Sequence, residues 1–361
     1  MLESTNMPKP VKDIPALLPF APKLTTLGYG TLEQLVGAAN TSAREHLSRF
    51  LAVDVGELIS SLPVAAEAPS FAALKAISLS TFPTGVLLGA IPRPTSAFDV
   101  GGVGAPATAF RGQPDKSHPE AAAAGPVGLP GTVNHIASMS PIRNQESRGT
   151  CVAFATLAAY EHFVKTVTAV TQDFSEQYLY WKCKQTDGYP SSEGTWVAVA
   201  YTALNQYGVC LENTWPYNGN KMPANESQDP PPVISPLELV AFRVVGYKQL
   251  APNAVGDIKA ELARGRCVTF SVPVFSSWYQ NVAVMLSGDI TMPIPGEIRS
   301  GGHAMCLVGY EDNPVFSGGG RFLLRNSWGT SWATNSSLGT GYGTIPYAYI
   351  ASYAAEAYSI S

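Results

Sequence analysis

Cysteine acts as a nucleophile through its thiolate, which a helix N-terminus and a neighbouring imidazolium stabilise. Cys151 stands where the chain offers the first of these. Arg148-Gly149-Thr150 reads as a turn, and the sixteen residues VAFATLAAYEHFVKTV read as a helix with Phe154, Leu157, Ala158 and Phe163 available for burial. The thiol then lies on the first turn, at the positive end of the dipole. On its own Cys151 reads more readily as a small buried hydrophobe. A base must come from five histidines. His46 falls in an N-terminal helical segment, His118 in a linker and His135 ahead of the domain, while His162 lies on the same helix about 16 Å along the axis from the thiol. The remaining one, His303, follows Gly301-Gly302 and opens the apolar run Ala304 to Gly309, at the mouth of a buried strand. Further on, Asn326 precedes Trp328 and Trp332 in RNSWGTSW. An Asn oxygen accepts an imidazole N–H and fixes its tautomer, and Trp328 would shield that bond from water. Gln145, six residues before Cys151, brings an amide that with the Cys151 backbone N–H would make an oxyanion hole. Each has a bland alternative; the four in this order and spacing point to thiol attack on a carbonyl.

The elements that must position these groups change character along the chain. After Gly131, helix patterns at Cys151 to about Val167 and at Thr195 to Tyr207 precede β-rich stretches at Ala241 to Tyr247, Cys267 to Val274, Ala304 to Tyr310 and Phe322 to Arg325. Helices first and strands later predict an α+β domain. Ahead of it, Gly, Pro and Ala crowd between Gly89 and Gly131 as a connector without periodicity. Three helical signals come first, each opening with a capping-box spacing: Thr31 with Gln34, Ser42 with Glu45, and Asp54 with Glu57. Their apolar faces predict a small bundle over residues 24–63, and a further helix is expected at Phe71 to Leu79. The expected division is a helical N-terminal region at 1–88, a linker at 89–132 and a catalytic domain at 133–361.

Composition removes other classes. Charged residues make up 14% of the 361 positions, against about 25% in ordinary soluble domains, and the net charge is −4 with no basic run, so nucleic acid is not an expected partner. The uncharged stretches Ala76 to Pro92 and Cys267 to Gly288 are broken by Pro83 and Pro273 and do not read as membrane spans. The first twenty residues lack the order of a conventional signal peptide, which leaves a cytoplasmic location or a non-classical export route. Five cysteines are too few for a disulfide framework; Cys267 and Cys306 read as buried, and Cys183 with Cys210 is left open as a pair. No His or Cys spacing suggests a metal, and no cofactor is expected.

The segments QESRGTCVAFA at 145–155, FSEQ at 174–177, GGHAMCLVGY at 301–310 and RNSWGTSW at 325–332 resemble the papain-like cysteine peptidases, and the likeness runs from about Val133 to the C-terminus. GVCLENTWPY at 208–217 and GYGTIPYAYI at 341–350 look more like its bacterial branch. The resemblance implies a two-lobed fold, with Gln145 and Cys151 on a helical left lobe, His303 and Asn326 on a β-barrel-like right lobe, and a cleft between them for a peptide or protein substrate. It also implies substrate contacts at Gly194, Thr195, Gly302 and Trp328. Arg148 stands where the family usually has a disulfide cysteine and Val152 replaces an aromatic, so the left-lobe disulfide is expected to be missing; Ala333 to Gly341 lengthens a loop. The leading expectation is a cysteine endopeptidase, made as a zymogen whose N-terminal region acts as a propeptide or recruits a protein partner. A transpeptidase using the same acyl-enzyme and a non-enzymatic scaffold are the alternatives.

Overall fold

The computed structural model describes residues 9–27, 29–39, 43–62, 128–190, 193–220, 231–294, 297 and 299–361. Two single 3-10 turns, Val11–Asp13 and Pro15–Leu17, lead into α1 (Ala21–Thr26), α2 (Leu32–Ala39), α3 (Ala43–Leu51) and α4 (Val55–Ser60). Local chemistry starts these helices. The Gln34 N–H donates to Thr31 Oγ1 at 3.3 Å while the Thr31 N–H donates to Gln34 Oε1 at 3.2 Å, a reciprocal capping box. At α4 the Glu57 N–H donates to Asp54 Oδ1 at 3.0 Å, a cap of the kind that contributes about 1 kcal/mol. The box expected at Ser42 and Glu45, the helix expected at Phe71 to Leu79 and nearly all of the connector lie outside the described residues.

Helices this short cannot stand alone and are held by a shared apolar core. Leu17, Leu24, Tyr29, Leu32, Leu35, Leu47, Val55 and Ile59 are buried together, and Ile294, from far along the chain, closes the same cluster. Ser317 Oγ donates to the Thr25 carbonyl, a second tie to the later part of the chain.

The later part holds two lobes. On the left, α5 (Cys151–Thr168), α6 (Glu176–Thr186), α7 (Val197–Tyr207) and α8 (Pro236–Ala241) surround one apolar cluster. The right lobe is an antiparallel sheet with β1 (Thr132–Asn134) laid on β4 (Arg299–Asp312) and the order β2 (Tyr247–Leu250), β7 (Glu356–Ile360), β3 (Val268–Phe275), β4, β5 (Gly320–Arg325), β6 (Tyr342–Pro346). Helices α9 (Val255–Ala263), α10 (Ser277–Gln280), α11 (Val282–Ser287) and α12 (Tyr347–Tyr353) complete it. The lengthened loop after Trp332 braces one of these helices. Its Ala333 and Asn335 N–H groups donate to the Met285 and Leu286 carbonyls at 2.9 and 2.8 Å, clamping the end of α11.

One expected strand needs correction. The stretch Ala241 to Tyr247 is not a strand; α8 ends at Ala241 and β2 begins at Tyr247. Asn205 Nδ2 donates to the Val244 carbonyl at 2.8 Å and to the Val245 carbonyl at 3.3 Å, so a side chain satisfies backbone that a ladder would otherwise use. Cys183 and Cys210 do not pair either: all five cysteines are buried and none is in a disulfide. We therefore expect five thiols to titrate in the unfolded chain without any reducing agent, and the melting temperature to be the same with and without dithiothreitol. A reductant-induced drop of several degrees would show a disulfide that this fold does not contain.

Candidate active site

Cys151 is the first residue of α5, and Thr150 before it makes no side-chain cap. The Thr150 hydroxyl bonds instead to Tyr217 Oη at 2.8 Å. The thiol therefore sits on the first turn, where the helix dipole favours a negative sulfur. Cys151 Sγ accepts the Ala304 N–H at 3.4 Å, which seats the sulfur against β4 one residue beyond His303.

His303 lies opposite Val272 in the β3–β4 ladder and is 0% exposed. Its Nε2 is 2.8 Å from Asn326 Oδ1, and the same oxygen accepts the Ser327 backbone N–H at 2.8 Å. The backbone donor fixes which end of the amide is oxygen, so Nε2 carries the hydrogen and Nδ1 presents its lone pair. Nδ1 is buried without a hydrogen-bond partner. Trp328 stacks on the imidazole at 4.9 Å and 28°, with Trp332 edge-on to Trp328 at 5.9 Å. Burial, opposed by the bond to Asn326, pushes the His303 imidazole down to about 4.

Gln145 reaches both lobes. Its Nε2 donates to the Arg148 carbonyl at 2.8 Å, its Oε1 accepts Ser327 Oγ at 2.7 Å, and its N–H donates to the Ser327 carbonyl at 2.8 Å. Cys151, His303, Asn326 and Gln145 thus converge where the N-terminus of α5 meets β4 and the turn after β5. The expected substrate contacts fare differently. Gly194 has both backbone groups engaged inside the left lobe: its N–H donates to Tyr180 Oη at 3.1 Å and its carbonyl accepts Lys184 Nζ at 2.8 Å, so its N–H cannot pair with an extended peptide. Thr195 is buried with its hydroxyl unpartnered, and Gly302 lies in the ladder opposite Pro273. Trp328 acts on the imidazole. Sequence reasoning did not assign roles to Ser327 or Tyr217, although both lie inside motifs that it singled out. Among the described residues no group of His, Cys, Asp or Glu could hold a metal, and no helix is long and apolar enough to cross a membrane.

A helix-borne thiol therefore lies against the strand that carries an amide-oriented imidazole, where the two lobes meet. Residues 131–352, more than half of the chain, match the family described as papain family cysteine protease, and the chain belongs to that family. An uncharacterized peptidase C1-like protein of Acanthamoeba polyphaga mimivirus is 28% identical over 217 residues, 58% of this chain and 65% of that protein. Papain from Carica papaya is 27% identical over 212 residues, 57% of this chain and 53% of papain's sequence. The chain spans about half to two thirds of the length of these curated relatives. The structure of xylellain, a cysteine protease from Xylella fastidiosa, shares the fold with a TM-score of 0.60 at 24% identity, over 77% of this chain and 96% of xylellain.

The pH dependence follows from burial. An exposed imidazole takes up a proton near 6.5, whereas His303 in this closed site stays neutral to about 4, so between these values the closed state binds fewer protons and falling pH works against it. Whole-chain stability mixes this with the opposite dependence of Glu161 and Glu212, whose carboxyls burial raises, the latter to about 7. The imidazole itself is the cleaner readout. In a ¹³C-histidine-labelled sample the resonance absent from His303→Ala should titrate below pH 5; a midpoint at 6 or above would contradict a desolvated ring.

Proposed function

We propose that the chain is a cysteine endopeptidase that hydrolyses peptide bonds through a thioester acyl-enzyme, with a peptide or protein as substrate. The observation that carries this is a cysteine on the first turn of a helix, against the strand of an imidazole whose tautomer Asn326 holds at 2.8 Å. In the proposed cycle Nδ1 of His303 takes the Cys151 proton as the sulfur attacks the scissile carbonyl carbon. The carbonyl π pair moves to oxygen, where Gln145 Nε2–H and the Cys151 N–H meet it. Collapse of the tetrahedral adduct breaks the C–N bond, and the leaving amine takes its proton from His303. Water then gives a proton to Nδ1 while its oxygen attacks the thioester; collapse expels the sulfur, which recovers the proton, and frees the carboxylic product.

The same proposal assigns regulation to the N-terminal region. In this reading residues 133–361 form the catalytic unit, and part of the region 1–88 or of the connector 89–132 covers the cleft and keeps the full-length chain latent. The docked bundle, with Ile294 in its core, supports control through the right lobe.

On a fluorogenic peptide, Cys151→Ala should lower kcat/KM at least about 10,000-fold and His303→Ala nearly as much, with Asn326→Ala milder because the nucleophile remains. Equal activity of Cys151→Ala and the parent would end the peptidase proposal. Proteolytic nicking between Gly89 and Gly131 should raise turnover and the labelling of Cys151 by an electrophilic peptide at least about tenfold, as removal of a tethered occluding segment does. Unchanged turnover and labelling after complete nicking would sink latency while leaving the peptidase proposal standing.

A further inference from the structure

We infer that Arg148 and Tyr217 are positioning residues for the oxyanion-stabilising groups, a non-covalent clamp standing where a cross-link would otherwise fix the loop before the nucleophile. The inference rests on the peptidase proposal and deepens it. The loop from Gln145 to Thr150 leads from one proposed oxyanion donor to the other, the N–H of Cys151. Its backbone is strained: Glu146 sits at φ 53°, a left-handed conformation that a non-glycine residue rarely adopts. No disulfide joins any of the five cysteines, so none restrains it.

The restraint comes from a segment about seventy residues away. Tyr217 Oη donates to the Gln145 carbonyl at 2.8 Å. Having one proton, the phenol must accept from Thr150 Oγ1, also at 2.8 Å, so a single hydroxyl ties the two ends of the loop together. Between those ends the Arg148 side chain turns inward and is 1% exposed. Its Nη1 donates to Gln177 Oε1 at 2.7 Å and to the Asn218 carbonyl at 2.5 Å, and the guanidinium centre lies 5.4 Å from the ring centroids of both Tyr180 and Tyr217. The Arg148 main chain matters equally. Its carbonyl accepts Gln145 Nε2 at 2.8 Å and the Thr150 N–H at 2.9 Å, so the oxygen that aims the Gln145 amide moves with whatever holds the Arg148 side chain. Ser147 Oγ donates to the Gly219 carbonyl at 3.3 Å, extending the contact along the same segment. A planar guanidinium suits this place because it stacks on rings and donates in a fixed fork; a lysine ammonium does neither.

Such a clamp affects the step in which an oxyanion forms and leaves thiol reactivity alone. We would compare the parent chain, nicked in its connector, with Tyr217→Phe, Arg148→Lys and Arg148→Met. Hydrolysis of one peptide is read beside alkylation of Cys151 by iodoacetamide, a displacement of iodide at carbon in which no carbonyl oxygen takes up charge. Tyr217→Phe should lower kcat about tenfold and each Arg148 variant about 100-fold, the scale for misplacing a group by about 1 Å, with KM and the alkylation rate changed less than twofold. Arg148→Lys, which keeps the charge, should not rescue. Because Tyr217→Phe removes only an oxygen, it decides the matter if an Arg148 variant fails to fold. Parent-like kcat in Tyr217→Phe, or alkylation falling in step with kcat, would overturn the inference. A parent that hydrolyses no peptide after nicking would overturn the peptidase proposal and the inference with it.

Discussion

The rest of the structure depends on how closely α5 can lie across β4. The thiol belongs to a helix of the left lobe and the imidazole to a strand of the right, so neither lobe can assemble the pair alone. Contact is close because the helix turns small side chains to the sheet: Ala158 and Ala159 pack with Cys267, Cys306 and Val308 in one buried cluster, and Thr269 Oγ1 reaches the Ala155 carbonyl at 3.3 Å. Larger side chains at those helix positions would hold the axis away from the strand, and the 3.4 Å approach of the Ala304 N–H to the sulfur would be lost.

Apolar contact sets the distance between the lobes, and buried polar ties set their angle. The Glu356 carboxylate on β7 accepts the Val197 and Ala198 N–H groups at 3.0 and 3.1 Å, so a right-lobe residue caps the left-lobe helix α7, for which Trp196 offers no side-chain cap. Arg325 Nη1 donates to Ser140 Oγ at 2.7 Å, and that hydroxyl donates on to Glu161 of α5. Gln145 and Ser327 form a third tie, within the site itself. Buried polar groups of this kind contribute little net stability, and losing one partner strands the other. Their contribution is register: rotation of one lobe against the other would leave several buried groups unsatisfied at once.

What was legible in the sequence was local. The helix opening at Cys151 and the Thr31 and Gln34 capping box are written in neighbouring residues, and each is present in the structure; the order of helices before strands holds in the main, with one short strand ahead of the left-lobe helices and four helices set among the later strands. The His303–Asn326 contact was legible too, because glycines, an apolar run and an amide before two tryptophans leave few arrangements. Elements decided by distant partners were not. The run Ala241 to Tyr247 has strand composition, yet the Asn205 side chain takes the Val244 and Val245 carbonyls. Gly194 has the freedom to meet a peptide backbone, yet Tyr180 and Lys184 reach it first. Arg148 could be read only as a missing cysteine, since its meaning lies in Gln177, Tyr180, Tyr217 and Asn218.

Desolvation of His303 links the architecture to the chemistry. The stacked Trp328 and the ladder around the ring give the imidazole one orientation and one tautomer, and they also remove the water that would stabilise its cation. A neutral ring with its Nδ1 lone pair unpartnered suits a general base and does not suit half of a standing thiolate–imidazolium pair. The proposed cycle needs the cation at the moment the amine leaves, and burial of the ring works against it. Admitting solvent or a substrate's polar backbone to the ring would raise the imidazole toward its ordinary range without moving the Asn326 bond, because that bond lies on the opposite nitrogen. The tautomer lock and the burial are therefore separable, and a change that uncovers the site can switch on the charge while leaving the geometry as it stands.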